Sequence, residues 1–103
     1  MYLLLKSEIK EIILDSIKEL KSQLSDGDNL IISEDMTIFG KESSFDSFDF
    51  VNLIVIIEDH LFEKLGKGVT IVNEKAFSKK YNPFSTVERL TDYIGELLEG
   101  EQD

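Results

Sequence analysis

Residues Phe45 to Phe62 read FDSFDFVNLIVIIEDHLF, and the spacing of the apolar positions makes this run a helix opened by its own cap. Asp46 stands just before the helix, where its carboxylate accepts backbone N–H groups that a first turn leaves unpaired, and Asp49 falls at the third helical position. Ser47 then lies in the first turn with its hydroxyl toward solvent. A phosphodiester attached there would sit near unpaired N–H groups and the positive end of the helix dipole. The helix extends from Ser47 to about Leu65 and stops at Gly66 and Gly68.

Two apolar stripes run along this helix. Phe50, Leu53, Ile54, Ile57 and Leu61 have the spacing of a core face. Phe48, Val51, Val55 and Phe62 fall on another side, flanked by Glu58 and Asp59. Either the helix is central and buried nearly all round, or the second stripe is exposed, and in so small a domain exposure is the expectation. An exposed apolar stripe beside carboxylates is what a basic partner needs, with charge steering the encounter and apolar side chains supplying contact.

The 103 residues are enough for one domain with a single small core. The expected division is a domain over residues 1–100 with 101–103 as a flexible tail. A formal charge of −10, from 21 acidic against 11 basic side chains, argues against nucleic acid and anionic membrane surfaces as partners. The chain has no cysteine, which excludes disulfides, thiolate metal sites and a thioester on the protein's own side chains. Thiol chemistry would have to be imported. The opening MYLLLKSEIKEI holds too short an apolar patch for a secretory signal, and no apolar run approaches membrane-spanning length. The expectation is a cytoplasmic monomer without membrane insertion.

Ile9, Ile12, Ile13, Ile17, Leu20 and Leu24 form one helical stripe, predicting a first helix over about Leu3 to Leu24. Asp26-Gly27-Asp28-Asn29 stops it. A long connection to Gly40 follows, pinned to the core by Ile31, Ile32 and Ile38. Val69 to Val72 reads as a short extended piece, and Asn73 as the cap of a brief third helix through Lys80. Ser85 and Glu88 have the spacing of a capping box for a last helix with an inward stripe of Val87, Leu90, Ile94, Leu97 and Leu98. The expected fold is all-α, a four-helix bundle with one short helix and a long first loop.

Catalytic and metal sites find little support. His60 has no serine or carboxylate arrangement marking a triad and reads as solvated or partly packed. Asp26, Asp28 and Asn29 suggest a calcium loop only in outline, since Ile31 stands where an EF-hand needs glycine and Thr37 where it needs glutamate. With no nucleophile, base and oxyanion grouping visible, a stand-alone enzyme is the poorest reading.

Asp46-Ser47-Phe48-Asp49, followed by Val51, Leu53 and Glu58-Asp59, resembles the Asp-Ser-Leu segment of acyl carrier proteins. The resemblance includes the amphipathic helix before the motif, the helix after it, and the closing segment from Pro83 to Glu88 leading into Leu90, Tyr93 and Ile94. It implies that Ser47 carries 4′-phosphopantetheine, with Asp46, Phe48 and Asp49 around the attachment point, and that the protein presents a thioester-bound acyl or aminoacyl group without catalysing a reaction. By the same resemblance the motif helix is the recognition element, through Phe48, Val51, Asn52, Val55, Glu58 and Asp59. The implied partners are a phosphopantetheinyl transferase and acyl-transferring or acyl-modifying enzymes with basic docking surfaces. An apolar crevice lined by Phe39, Phe50, Leu53, Ile54, Ile57, Ile71 and Leu90 would shelter an acyl chain, and would stay closed for a polar cargo.

The chain departs from the family pattern at Ser44, where many carriers have glycine, at Phe48, usually leucine, and at Asn52, commonly acidic. Lys64, Lys67, Lys75, Lys79 and Lys80 against Glu74 make a local basic segment in an acidic protein. It reads either as a solvated or internally paired loop or as a partner contact, the latter suiting a specialised carrier. The alternative function is an unmodified interaction module acting through the same helix.

Overall fold

A computed structural model describes residues 4–23, 31–33, 35–39, 43, 45–77 and 82–100. Ile9, Ile12, Ile13, Ile17 and Leu20 are all buried on one face of α1, Lys6–Lys21. The expected end residues Leu3 and Leu24 lie outside the described residues, and the helix is shorter than its apolar pattern. Its start is set by Leu5, which is extended and donates its backbone N–H to Glu8 Oε1 at 2.9 Å, a carboxylate reaching back over the first turn. Its end carries Lys18 and Lys21, cations that suit the negative end of the helix dipole.

The motif helix, α2, spans Ser47–Leu65 and ends on Gly66. Gly66 has φ +74°, a left-handed conformation that only glycine adopts without strain. A single turn, α3, covers Glu74–Phe77, and α4 covers Val87–Gly100. Among the described residues there is no strand, only an isolated bridge between Thr37 and Thr86, so the fold is all-α with three long helices. The stripe Val87, Leu90, Ile94, Leu97 and Leu98 is buried. No helix among the described residues is long and apolar enough to cross a membrane.

The expected cap of the last helix is displaced by one residue. Thr86, not Ser85, precedes α4, and its Oγ1 accepts the Arg89 N–H at 3.2 Å. Ser85 is drawn into the turn before it, donating its hydroxyl to the Asn82 carbonyl at 3.0 Å, while its own carbonyl accepts the Ile38 N–H at 2.9 Å. Glu88, freed from a capping role, pairs with Lys10 at 2.9 Å and with Lys6, also at 2.9 Å. Lys6 also reaches Asp92 at 2.9 Å, so this cluster ties the start of α1 to α4.

The long connection is held unevenly. Ile38 is fully buried, whereas Ile31 is 83% exposed and does not pin the loop as expected. Ile32 and Met36 lean on the core from its edge. Val69 and Ile71 are buried between exposed Thr70 and Val72, an alternation without a partner strand. Asn73 does precede α3, its carbonyl accepting the Ala76 N–H at 3.0 Å; the expected end of this helix at Lys80 falls in residues 78–81, which lie outside the described ones.

α1 packs closely against both α2 and α4, while the backbones of α2 and α4 remain farther apart. Large side chains occupy the interval. Phe50 of α2 meets Phe84 edge to face with ring centroids 5.4 Å apart, and Phe84 meets Tyr93 of α4 in the same manner at 5.8 Å. The Tyr93 hydroxyl donates to the Ile71 carbonyl at 2.8 Å and lies 3.2 Å from Asn73 Oδ1. Burial and the nearby Glu96 charge push the Tyr93 phenol above its ordinary range, keeping it a donor. Buried Ser16 and Thr91 return their hydroxyls to carbonyls one turn back, Ile12 at 2.7 Å and Val87 at 2.8 Å.

Tyr93→Phe keeps the ring and orphans the Ile71 carbonyl, so urea denaturation should show a loss of about 1–2 kcal/mol. Hydrogen bonds from Lys6 and then Lys10 hold the exposed Glu88 carboxyl below the usual glutamate range. Its contribution is therefore present above that range and disappears as pH falls through the depressed value. Glu88→Gln should lower Tm slightly at neutral pH, and the gap to the native chain should close on acidification, as thermal melts across a pH series will read.

Candidate functional site

Phe45 is buried, Asp46, Ser47 and Phe48 are exposed, and Phe50 is buried again, so the chain comes up from the core, turns at the surface and re-enters it. The turn is built by the cap. Asp46 is extended, at φ −85° and ψ −178°, and its Oδ1 accepts the Asp49 N–H at 2.8 Å while its carbonyl accepts the Phe50 N–H at 3.0 Å. Ser43 supports the approach, its Oγ accepting the Phe45 N–H at 3.0 Å.

Ser47 is thus the first residue of α2, exposed, and flanked by amides that no earlier helical carbonyl can reach. The arrangement offers a nucleophilic oxygen with open approach and partial positive charge nearby. Asp46 is an exposed cap residue and Asp49 a half-buried first-turn residue; neither is paired with a base among the described residues.

The two stripes separate as their spacing predicts. Phe50, Leu53, Ile54, Ile57 and Leu61 are buried, whereas Phe48 is 74% exposed and Val51, Val55 and Phe62 are also exposed. Asn52 is half-buried at the edge of the exposed face, and Asp59 and Glu63 are exposed beside it.

Glu58 does not belong to this outer face in the way expected. It is half-buried, and its Oε2 accepts the Ile71 N–H at 2.9 Å. Together with Tyr93, it satisfies both backbone groups of Ile71. Its place between Ile54 and Leu61 on the buried stripe was the available signal, since a carboxylate one turn from core residues on both sides borders the interior. His60 holds an unforeseen contact, its Nε2 lying 2.7 Å from Glu19 Oε2, which links α2 to α1.

Of the expected crevice lining, Phe50, Leu53, Ile54, Ile57, Ile71 and Leu90 are buried, and Phe39 is a surface ring at 42% exposure. Phe39 stands edge to face on Phe50 at 4.8 Å. Elsewhere, a surface groove of about 480 Å³ between α1 and α4 has Leu4, Ile9 and Gly95 among its lining. Another of about 300 Å³ is lined by Ile12, Asp15, His60, Glu63 and Lys64. Neither involves Ser47 or its neighbours.

Among the described residues no three His, Cys, Asp or Glu side chains are placed to hold a metal ion. Lys64 and Lys67 of the basic segment are exposed; Lys79 and Lys80, like Ser44 and the acidic loop from Asp26 to Asn29, lie outside the described residues.

No protein-family model, curated protein or solved structure matches the chain. Its functional reading rests on the chemistry of α2 itself. Asp46→Ala removes the cap and should cost about 1 kcal/mol in chemical denaturation, with the added hydrogen exchange concentrated in the first turn of α2.

Proposed function

We propose that this chain is a carrier protein of the acyl-carrier type, modified on Ser47 with 4′-phosphopantetheine. The observation that carries the reading is the exposed Ser47 at the capped start of α2, adjoining an apolar stripe that the fold leaves uncovered. The residues fit the group. Ser47 has open approach for a transferase, the first-turn amides favour a phosphodiester, and the missing cysteine is supplied by a thiol on the arm.

In the modification, Ser47 Oγ attacks the pantetheine-side phosphorus of coenzyme A with Mg²⁺ bound in the transferase. The new Oγ–P bond replaces the pyrophosphate P–O bond, adenosine 3′,5′-bisphosphate leaves, and the serine proton passes to a base of the transferase. Once attached, the arm supplies a thiol for thioester formation. The protein's own part is presentation. Phe48, Val51 and Val55, with Asp59 beside them, form the surface a basic acyl-transferring enzyme would grip, and tethering raises the local concentration of its cargo. Glu58 contributes to this surface only indirectly, by holding Ile71.

The exposed stripe by itself would also suit an unmodified interaction module, and one measurement separates the two. The native chain and Ser47→Ala are incubated with coenzyme A, Mg²⁺ and a broad-specificity phosphopantetheinyl transferase, and intact mass is read. A gain of one phosphopantetheine in the native chain alone is the expected result. No gain in a folded native chain, beside a control carrier that loads, would favour the module.

A further inference from the structure

We infer that the cargo is a short or polar acyl group held outside the helices, because the protein's own side chains occupy the interval between α2 and α4. This rests on the reading of Ser47 as the attachment point. A long alkyl chain on a flexible arm gains by leaving water, and a carrier that exploits this gain needs an apolar recess for the chain to enter. The interval between α2 and α4, whose backbones pack less closely than either does against α1, is where such a recess would lie.

That interval is taken up by aromatic rings. Phe50, one turn from Ser47, stands 5.4 Å from Phe84, Phe84 stands 5.8 Å from Tyr93, and all three rings are buried. Phe39 covers the outer end of the column, 4.8 Å from Phe50. The inner end is anchored by polar bonds. Tyr93 donates to the Ile71 carbonyl at 2.8 Å, and the Ile71 N–H is held by Glu58 of α2 at 2.9 Å.

The contacts therefore form a closed circuit, from α2 through Glu58 and Ile71 to Tyr93 of α4, and back to α2 through Phe84 and Phe50. An alkyl chain could enter this interval only by displacing packed rings, or by parting Tyr93 or Glu58 from Ile71 and leaving buried backbone groups unpaired. A short acyl group has little apolar area to gain by burial, and a polar one would lose its water. Those are the cargo classes for which a filled interior carries no penalty.

The test uses acetyl-, octanoyl- and myristoyl-coenzyme A, each offered with Mg²⁺ and a broad-specificity transferase so that the acylated arm is placed on Ser47. Intact mass reports loading and thermal melts report Tm. The three loaded forms are expected to melt at the same temperature. Loading with a Tm that rises from acetyl to myristoyl would overturn this inference and leave the carrier reading standing. Failure of all three and of coenzyme A itself to load a folded chain, beside a control carrier that accepts them, would overturn the carrier reading and the inference with it. In Phe84→Leu, or in Phe50→Leu should the first not fold, the myristoyl form is expected to melt above the acetyl form. Equal melting there would overturn the assignment of closure to the rings.

Discussion

Ile71 is the point on which the helices depend. It belongs to no helix and no ladder, yet it is fully buried, so its N–H and carbonyl must find partners without water. They find them in side chains from two different helices, Glu58 of α2 and Tyr93 of α4. One residue of loop thereby fixes the relation of two helices whose backbones do not pack closely. Removing either side chain would expose a buried polar group to an apolar neighbourhood, a penalty larger than the bond's own net worth.

The cap at Asp46 sets a second constraint, one of phase. Once the first turn begins at Ser47, the helical repeat assigns every later residue to a face. Five apolar residues then turn inward, and Phe48, Val51, Val55 and Phe62 turn outward. A slip of the helix by one residue against its neighbours would rotate both stripes by about 100°, placing polar side chains against the core. The same bond that begins the helix keeps Ser47 on the surface.

Much of this was legible in the sequence because it is periodic. The bounds of α2, its Asp46 cap, its two faces and the inward stripes of α1 and α4 follow from spacing alone. What escaped was set by contacts distant in the chain. Nothing local to Glu58 announces Ile71, and nothing near His60 announces Glu19. The capping pattern at Ser85 and Glu88 misled because Ser85 answers to Asn82 and Ile38, and Glu88 to lysines of α1. Ile31 reads as a loop anchor by composition, but burial depends on where the loop runs. For the site, the sequence makes Ser47 and its surroundings stand out; it could not show that Phe39 and Phe50 of the would-be crevice continue through Phe84 to Tyr93 as an aromatic column.

The two outermost exposed rings of α2 have a geometric consequence. Phe48 and Phe62 are fourteen residues apart on a continuous helix, about 21 Å along its axis at the usual rise. A contact at one end would fix only a position and leave the domain free to swivel. A body that touches both ends also fixes a direction, so the heading of Ser47 relative to that body is set by a baseline as long as the helix face. Angular precision of this kind grows with the separation of the two supports, and Gly66 ends the helix just beyond the second.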